Sequence, residues 1–119
     1  MKFLAGLLIV CISLFSDVIV IASDGDSLNS NISSKASRCN YYIFIDQNGK
    51  TLEILQNSHK DAKGGASSKL TKMLNTKNAS HFIASNFGEK LVTSLDSNSI
   101  KYTIYKGTIN TFIKQVLKK

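Results

Sequence analysis

The sequence contains no proline, no tryptophan, only two cysteines and a single arginine, Arg38. Two cysteines are too few for a disulfide framework or a structural zinc site, so the fold has to rest on a hydrophobic core. With 119 residues, of which 43% are apolar and 19% charged, the chain is long enough for one such core and too short for two domains. The lack of proline and the many apolar residues exclude Pro-rich linkers and general disorder.

The charge is strongly basic but is carried almost entirely by lysine. The net charge is +7, from fourteen lysines and Arg38 against eight acidic residues. Specific recognition of nucleic acids relies on the bidentate arginine fork and on exposed aromatic residues, whereas the aromatic residues here fall mainly in predicted strands and helix faces. We therefore expect no specific nucleic-acid partner. Nonspecific binding, which would weaken steeply with salt, is the remaining alternative.

Residues 3–16 carry no charge and follow only Met1 and Lys2, a pattern typical of a secretory signal peptide. This run is too short for a transmembrane helix, but a second apolar segment, residues 18–22, follows after Asp17, and the two together can form an anchor. No small-x-small cleavage site is evident. Three alternatives follow: export to the periplasm with cleavage near Ser16, an uncleaved inner-membrane anchor, or a cytoplasmic protein with a misassigned start. In all three, residues 17–119 form the folded domain, and only the N-terminal segment can meet a membrane.

Apolar periodicity and turn signals divide the domain into alternating strands and helices. The predicted strands cover residues 18–23, 41–46, 51–56, 81–85 and 101–105, and the predicted helices cover 66–75, 87–97 and 109–119, the last of which is capped by Thr108. Asn48-Gly49 marks a tight hairpin between strands two and three, which makes that pair antiparallel. Strands joined through helices pair in parallel, so the order β-β-β-α-β-α-β-α predicts an α/β fold. It is a mixed five-stranded sheet of the ribonuclease H-like kind, with helices on both faces.

Apolar stripes mark the buried faces of the first and last predicted helices. In the first, the shared face is formed by Ala66, Leu70, Met73 and Leu74. In the last, the shared apolar face is formed by Ile109, Phe112, Ile113, Val116 and Leu117. Residues 26–40 are rich in Ser and Asn and are predicted to form one long loop.

The residues for nuclease chemistry are missing from this fold. Two-metal phosphoryl transfer needs three or four converging carboxylates, but neither the first predicted helix nor the fourth strand contains an acid, and Asp24 lies past the end of strand one. The sequence also lacks the G-x-S-x-G, Walker A, H-E-x-x-H and C-x-x-C motifs. We therefore predict a protein that is not an enzyme and has no catalytic residues.

Short motifs in a fixed order make the chain from Val18 onwards resemble a known family. They are Ser23-Asp24-Gly25, SSKASRCNYYIFID (33–46), Asn57, Gly64-Gly65-Ala66, IASNFG (83–88) and Gly107-Thr108. This pattern resembles the NifX and NifB C-terminal-type family, the dinitrogenase iron-molybdenum cofactor biosynthesis domain, which is bacterial. Ser33, Arg38, Tyr41 and Asp46 match its second motif at the expected spacing.

The resemblance implies a role in binding, carrying or protecting a metal cofactor. The expected ligand is an iron-sulfur or iron-molybdenum type cluster or its precursor, handled together with partner proteins of cofactor assembly, and the link to nitrogen fixation stays open. The main alternative is an exported or membrane-associated accessory domain of the same fold that acts through protein contacts without binding a cluster.

The chain departs from the family pattern around its only arginine. Where the family often has His and Phe before a Gly-Arg pair, this sequence has Lys35, Ala36 and Ser37, and a protonated lysine cannot coordinate a metal. Cys39 stands where the family usually has alanine. A thiolate next to Arg38 would have a lowered pKa, which favours metal ligation, although a small half-buried residue is the plainer interpretation.

The remaining candidates lie where α/β sheets bind ligands, at the carboxyl ends of strands and the starts of helices. His59, in the loop before Gly64-Gly65, is the second candidate metal ligand, with a solvated loop histidine as the alternative. Glycine amides can hold an anionic cluster, or can serve only the turn into a helix. The predicted cofactor-binding residues are Asp24, Arg38, Cys39, His59, Gly64, Gly65, Asn86 and Gly88.

Overall fold

The computed structural model describes residues 17–117, and the predicted leader, residues 1–16, lies outside the described residues. The strands are β1 (Ile19–Ser23), β2 (Tyr41–Ile45), β3 (Thr51–Gln56), β4 (His81–Ala84) and β5 (Lys101–Ile104). The helices are α1 (Ala66–Thr76), α2 (Glu89–Ser97) and α3, which is α-helical over Ile109–Phe112 and continues with π-helical hydrogen bonding over Ile113–Leu117. Within residues 17–117, no helix is both long enough and apolar enough to cross a membrane.

The five strands form one mixed sheet in the order β3-β2-β1-β4-β5. β1 is antiparallel to β2 and parallel to β4, so that Ile21 lies between Ile43 and Ile83. The hairpin of β2 and β3 forms one edge, and β5 forms the other, parallel to β4. The predicted mixed sheet and its antiparallel hairpin are confirmed. Four strands, β1, β3, β4 and β5, run in the same direction, so their carboxyl ends meet at one edge of the sheet.

Alternating side chains of the central strands build a separate core on each face of the sheet. Val20 and Ala22 of β1 face the layer of α1 and α2, which buries Leu70, Leu74 and Leu95. The other face of β1 packs under α3, with the buried residues Ile19, Ile21, Ile43, Ile83, Ile109, Phe112 and Ile113. Because β1 is buried on both faces, its sequence is a continuous apolar run.

The last helix begins as predicted, but its final turn does not keep the predicted apolar face. Thr108 caps it as expected, since the Thr108 hydroxyl oxygen accepts a hydrogen bond from the Thr111 amide at 3.2 Å. Val116, however, is 46% exposed, so its predicted place on the buried face is wrong. Hydrogen bonds between residues five apart widen the turn after Phe112, and the wider turn rotates Val116 towards solvent.

The polar segment between β1 and β2 is folded into the domain more tightly than a long loop predicts. Ile32, Ala36 and Cys39 are buried. Ser33 lies between the ends of β1 and β4, because its amide donates to the Ala22 carbonyl at 2.8 Å and its carbonyl accepts from the Ser85 amide at 2.9 Å. The two parallel strands therefore separate at their carboxyl ends, and the segment after Ser33 lines the space that opens there.

The two-layer core predicts a large difference between two leucine truncations. Leu74 of α1 is fully buried, whereas Leu52 on the edge strand β3 is 51% exposed. We expect Leu74→Ala to lower the free energy of unfolding by about 2–5 kcal/mol, because it leaves a cavity between α1 and the sheet. Leu52→Ala should cost less than about 1 kcal/mol. Urea denaturation of both variants checks this, and equal midpoints would contradict the layer assignment.

Candidate functional site

A cavity of about 770 Å³ lies at the edge where the carboxyl ends of β1 and β4 separate. Its walls come from the segment after β1, the loop after β3, the start of α1 and the start of α2. The residues that line it are Asp24, Ser33, Ser34, Lys35, Ala36, Ser37, Arg38, Cys39, Asn40, Lys60, Asp61, Ser67, Asn86, Gly88, Lys90 and Leu91. The strand directions alone bring these distant segments together, because each of them follows a strand that ends at this edge.

The structure gathers most, but not all, of the predicted site residues. Asp24, Arg38, Cys39, Asn86 and Gly88 line the cavity. Gly64 and Gly65 line an adjoining cleft of about 420 Å³, which shares Arg38 and Lys90 with the cavity.

The two predicted metal ligands are not brought together. His59 lines a separate cavity of about 130 Å³ beside Asn57 and Met73, whereas Cys39 belongs to the large cavity. Over residues 17–117, no group of three or more His, Cys, Asp or Glu side chains is arranged to hold a metal ion.

The large cavity carries an excess of positive charge. Four cationic side chains line it, against the two carboxylates of Asp24 and Asp61. In the described part of the chain, the one ion pair within 4 Å joins Lys77 to Glu53, which are not cavity residues. The cavity cations are therefore not neutralised by direct ion pairs, and they attract anions. They are Lys35, Arg38, Lys60 and Lys90.

Two glycines at the helix starts leave open space beside the backbone. A methyl group added at Gly88 or Gly64 would meet no atom within 4 Å. The φ angle of Gly88 is −84°, so neither packing nor backbone conformation requires glycine there. Gly65, by contrast, has a φ of 73°, which favours glycine. No side chain caps the start of α2 at Gly88, so its first amides can donate to an anion in the cavity.

Arg38 contacts the protein backbone across the cavity wall. Its Nη1 donates to the carbonyl oxygen of Lys60 at 3.2 Å and also to that of Ala62. Beside it, the Asn40 side chain links two segments: its amide nitrogen donates to the Asp24 carbonyl, and its oxygen accepts from Lys60 Nζ, both at 3.0 Å. Arg38, which was predicted to contact an anion, thus holds the loop after β3 in the structure.

The expected lowering of the Cys39 pKa is wrong. Cys39 is 2% exposed, and its Sγ donates to the Tyr41 carbonyl at 3.1 Å. Burial raises the pKa of the Cys39 thiol to about 11. The reason is that Arg38, although adjacent in sequence, directs its Nη1 to the loop at Lys60 and Ala62, while the thiol packs inward.

Asn57, which the sequence motifs marked only by its position after the third strand, organises the site. It is 7% exposed, and its Nδ2 donates to the carbonyls of Ser37 and Cys39 at 3.2 and 2.9 Å. Its Oδ1 accepts from the His59 amide at 2.9 Å. Asn57 therefore joins the end of β3 to the cavity wall on either side. Its position directly after a strand was visible in the sequence, but its distant partners were not.

Fold and site together define a small α/β domain with a basic, hydroxyl-rich cavity at the carboxyl edge of a mixed sheet. The family model described as dinitrogenase iron-molybdenum cofactor matches residues 17–119, and the chain belongs to this family. The resemblance seen in the sequence motifs is thereby confirmed. No curated protein matches the chain.

Two solved structures share this architecture. The apo form of the orange protein from Desulfovibrio gigas is 18% identical, with a TM-score of 0.76 over 86% of this chain and 88% of that one. An NMR structure of a proposed NifB protein from Thermotoga is 29% identical, with a TM-score of 0.68 over 82% of this chain and 84% of that one. The first likeness shows the fold alone.

The buried thiol predicts slow alkylation of Cys39. A pKa of about 11 instead of 9.0 lowers the thiolate fraction at pH 8 by about 100-fold. We expect iodoacetamide to modify Cys39 in the native protein at least that much more slowly than in urea. Mass spectrometry of the tryptic peptide that begins at Cys39 follows this site separately from Cys11. Equal rates in the native and unfolded protein would show an accessible, ionised thiol instead.

Proposed function

We propose that this protein is a non-enzymatic carrier for an anionic metal cofactor or its precursor, of the iron-sulfur or iron-molybdenum type. The family membership supports a role in cofactor biosynthesis. The observation that carries the proposal is the large cavity itself, where four cations, several hydroxyl groups and the uncapped start of α2 face one space. In this proposal the metal cluster is the cargo, and partner proteins of cofactor assembly supply and receive it.

The side chains that line the cavity suit a cluster whose metal ions are already coordinated by sulfide or oxygen, without ligands from the protein. Ligation by the protein would need several soft donors, but Cys39 is buried and protonated at neutral pH, and His59 lies in a different cavity. Lysine and arginine cannot coordinate a metal, yet they donate hydrogen bonds and hold negative charge. The cavity is therefore suited to the sulfide or oxygen surface of a preassembled anion.

The volume and exposure of the cavity also suit a carrier. About 770 Å³ lies within the range of about 300–1,000 Å³ that is usual for sites of small molecules and cofactors. All four cationic side chains of the cavity are solvent-exposed. Charges in contact with water bind an anion weakly enough to release it again.

Lys90 offers a charge test that leaves the fold intact. It lies in the first turn of α2, where a positive charge opposes the helix dipole, so Lys90→Gln should not destabilise the helix. With tetrathiomolybdate, a molybdenum-sulfur dianion, as the probe, we expect Lys90→Gln to raise the Kd about fivefold, which corresponds to about 1 kcal/mol. The salt dependence of binding should become shallower. Anaerobic titration followed by visible absorption measures both quantities.

The matched control for this charge test is Lys114→Gln, which removes an exposed lysine from α3 on the other face of the sheet. It should bind like wild type, as should Cys39→Ala. If wild type does not bind the probe, or if both lysine variants bind equally, the carrier proposal fails. If iron and sulfide form a coloured cluster on wild type but not on Cys39→Ala, the protein ligates its cluster and the cargo model is wrong.

Gly88 offers a steric test of the same site. The added methyl group of Gly88→Ala contacts no protein atom, so the effect on stability should stay below about 1 kcal/mol. An anion seated against the α2 amides would collide with it, and we expect the Kd for tetrathiomolybdate to rise about tenfold or more. Gly64→Ala, which lies in the adjoining cleft, is the comparison and should change the Kd little. Unchanged binding by Gly88→Ala would place the anion elsewhere.

A further inference from the structure

We propose that Arg38 is a positioning residue that latches one wall of the cavity and so sets how long the cargo stays bound. The wall is the segment between β3 and α1, residues 58–63, which we call the wall loop. Its link to cargo retention rests on the carrier function proposed above. The latch itself is a property of the protein without cargo, and it can be tested separately.

The wall loop has few contacts of its own to hold it. Five of its six side chains are exposed, and that of Ala62 is half-buried. At one end the loop is anchored by Asn57, which is buried and hydrogen-bonded to the segment after β1. At the other end it leads into Gly64-Gly65, where added methyl groups would meet nothing within 4 Å. The loop is thus fixed at Asn57, loosely packed at the glycines and exposed between them.

The fastening in the middle of the wall loop comes from across the cavity. Arg38 Nη1 donates to the Lys60 and Ala62 carbonyls, and Lys60 Nζ donates to the Asn40 side chain. These are the side-chain hydrogen bonds that tie residues 60–63 to the segment after β1. They keep Lys60 and Asp61 in the cavity lining. Losing them would release Lys60 from the site and widen the entrance.

The shape of the arginine side chain, and not only its charge, suits it to this position. A guanidinium has five N–H donors in a planar fork, whereas an ammonium is a compact point charge. Arg38 uses Nη1 to donate hydrogen bonds to the wall loop. The same side chain lines both the cavity and the adjoining cleft. Its other nitrogens have no hydrogen-bond partner among the described residues, so they can donate to an anion while Nη1 holds the loop.

Arg38→Lys separates the latch from the charge. It keeps the positive charge but lacks the fork, so the wall loop should open more often while attraction of an anion is largely retained. In the cargo-free protein, we expect trypsin to cleave the Lys63–Gly64 bond about fivefold faster than in wild type, because cleavage tracks the open population. Cleavage at Lys106–Gly107, another exposed Lys–Gly bond, is the reference within the same chain, and mass spectrometry follows both sites.

The control for the latch is Lys35→Gln, which removes a cavity charge whose side chain is not one of those hydrogen-bonded to the wall loop. It should be cleaved at Lys63–Gly64 at the wild-type rate. Arg38→Gln should open the loop as Arg38→Lys does, and equal thermal unfolding of the variants shows that the effect is local. If Arg38→Lys is cleaved at the wild-type rate, the latch is overturned.

Release of tetrathiomolybdate then tests the consequence for cargo. Because the latched wall loop bounds the cavity that is proposed to hold the anion, Arg38→Lys should release the probe about fivefold faster with nearly the same association rate. Lys35→Gln should instead slow association and flatten its salt dependence. If no variant binds the probe but Arg38→Lys still opens the loop, the carrier function fails and the latch stands. If the probe binds but its release is the same in wild type and Arg38→Lys, the retention role is overturned.

Discussion

The central strand β1 is the element on which the rest of the structure depends. It is hydrogen-bonded to an antiparallel strand on one side and a parallel strand on the other, and it is buried on both faces. Pairing with β2 places the hairpin on one side of β1, pairing with β4 places the parallel pair β4-β5 on the other, and both cores are built on the alternating side chains of β1. Where β1 ends, Ser33 takes its place beside β4, and the cavity forms at this exchange of partners. The site is therefore a consequence of how the central strand ends.

The chemistry of the site follows from which groups the fold buries and which it leaves in water. The Cys39 thiol is inside, where burial raises its pKa, and the cavity lysines are outside, in contact with water. Such a division favours holding an anion over forming metal–protein bonds. It also explains why a cysteine next to an arginine in the sequence does not form a reactive thiolate. The Cys39 side chain packs into the core, whereas the Arg38 side chain lies at the surface against the loop after β3.

The parts of the fold that the sequence predicts are those set by local pattern. The hairpin at Asn48-Gly49, the face of α1 and the Thr108 cap depend on residues within a few positions of each other, and all are found. The structure of the segment after β1 could not be predicted, because it shows no helical or strand-like spacing of apolar residues. Ser33 and Cys39 are held instead by hydrogen bonds to residues in or next to β1, β2 and β4. The basic cavity could not be predicted for the same reason. Its lysines come from three separate segments, and each of them alone has the pattern of a solvated surface residue.

The same reasoning applies to Arg38, for which the sequence suggested an anion contact and the structure shows hydrogen bonds to the loop after β3. A lone arginine in a lysine-rich chain indicates a need for fixed geometry, because lysine supplies charge just as well. In the structure that geometry is used on the backbone of the wall loop, a segment whose own side chains stay largely in water. A loop of this kind has to be held in place by residues outside it, here by the Arg38 guanidinium. Since the ordering group also lines the space where an anion would sit, the proposed cargo and the loop would share one guanidinium, and by thermodynamic linkage each would stabilise the placement of the other.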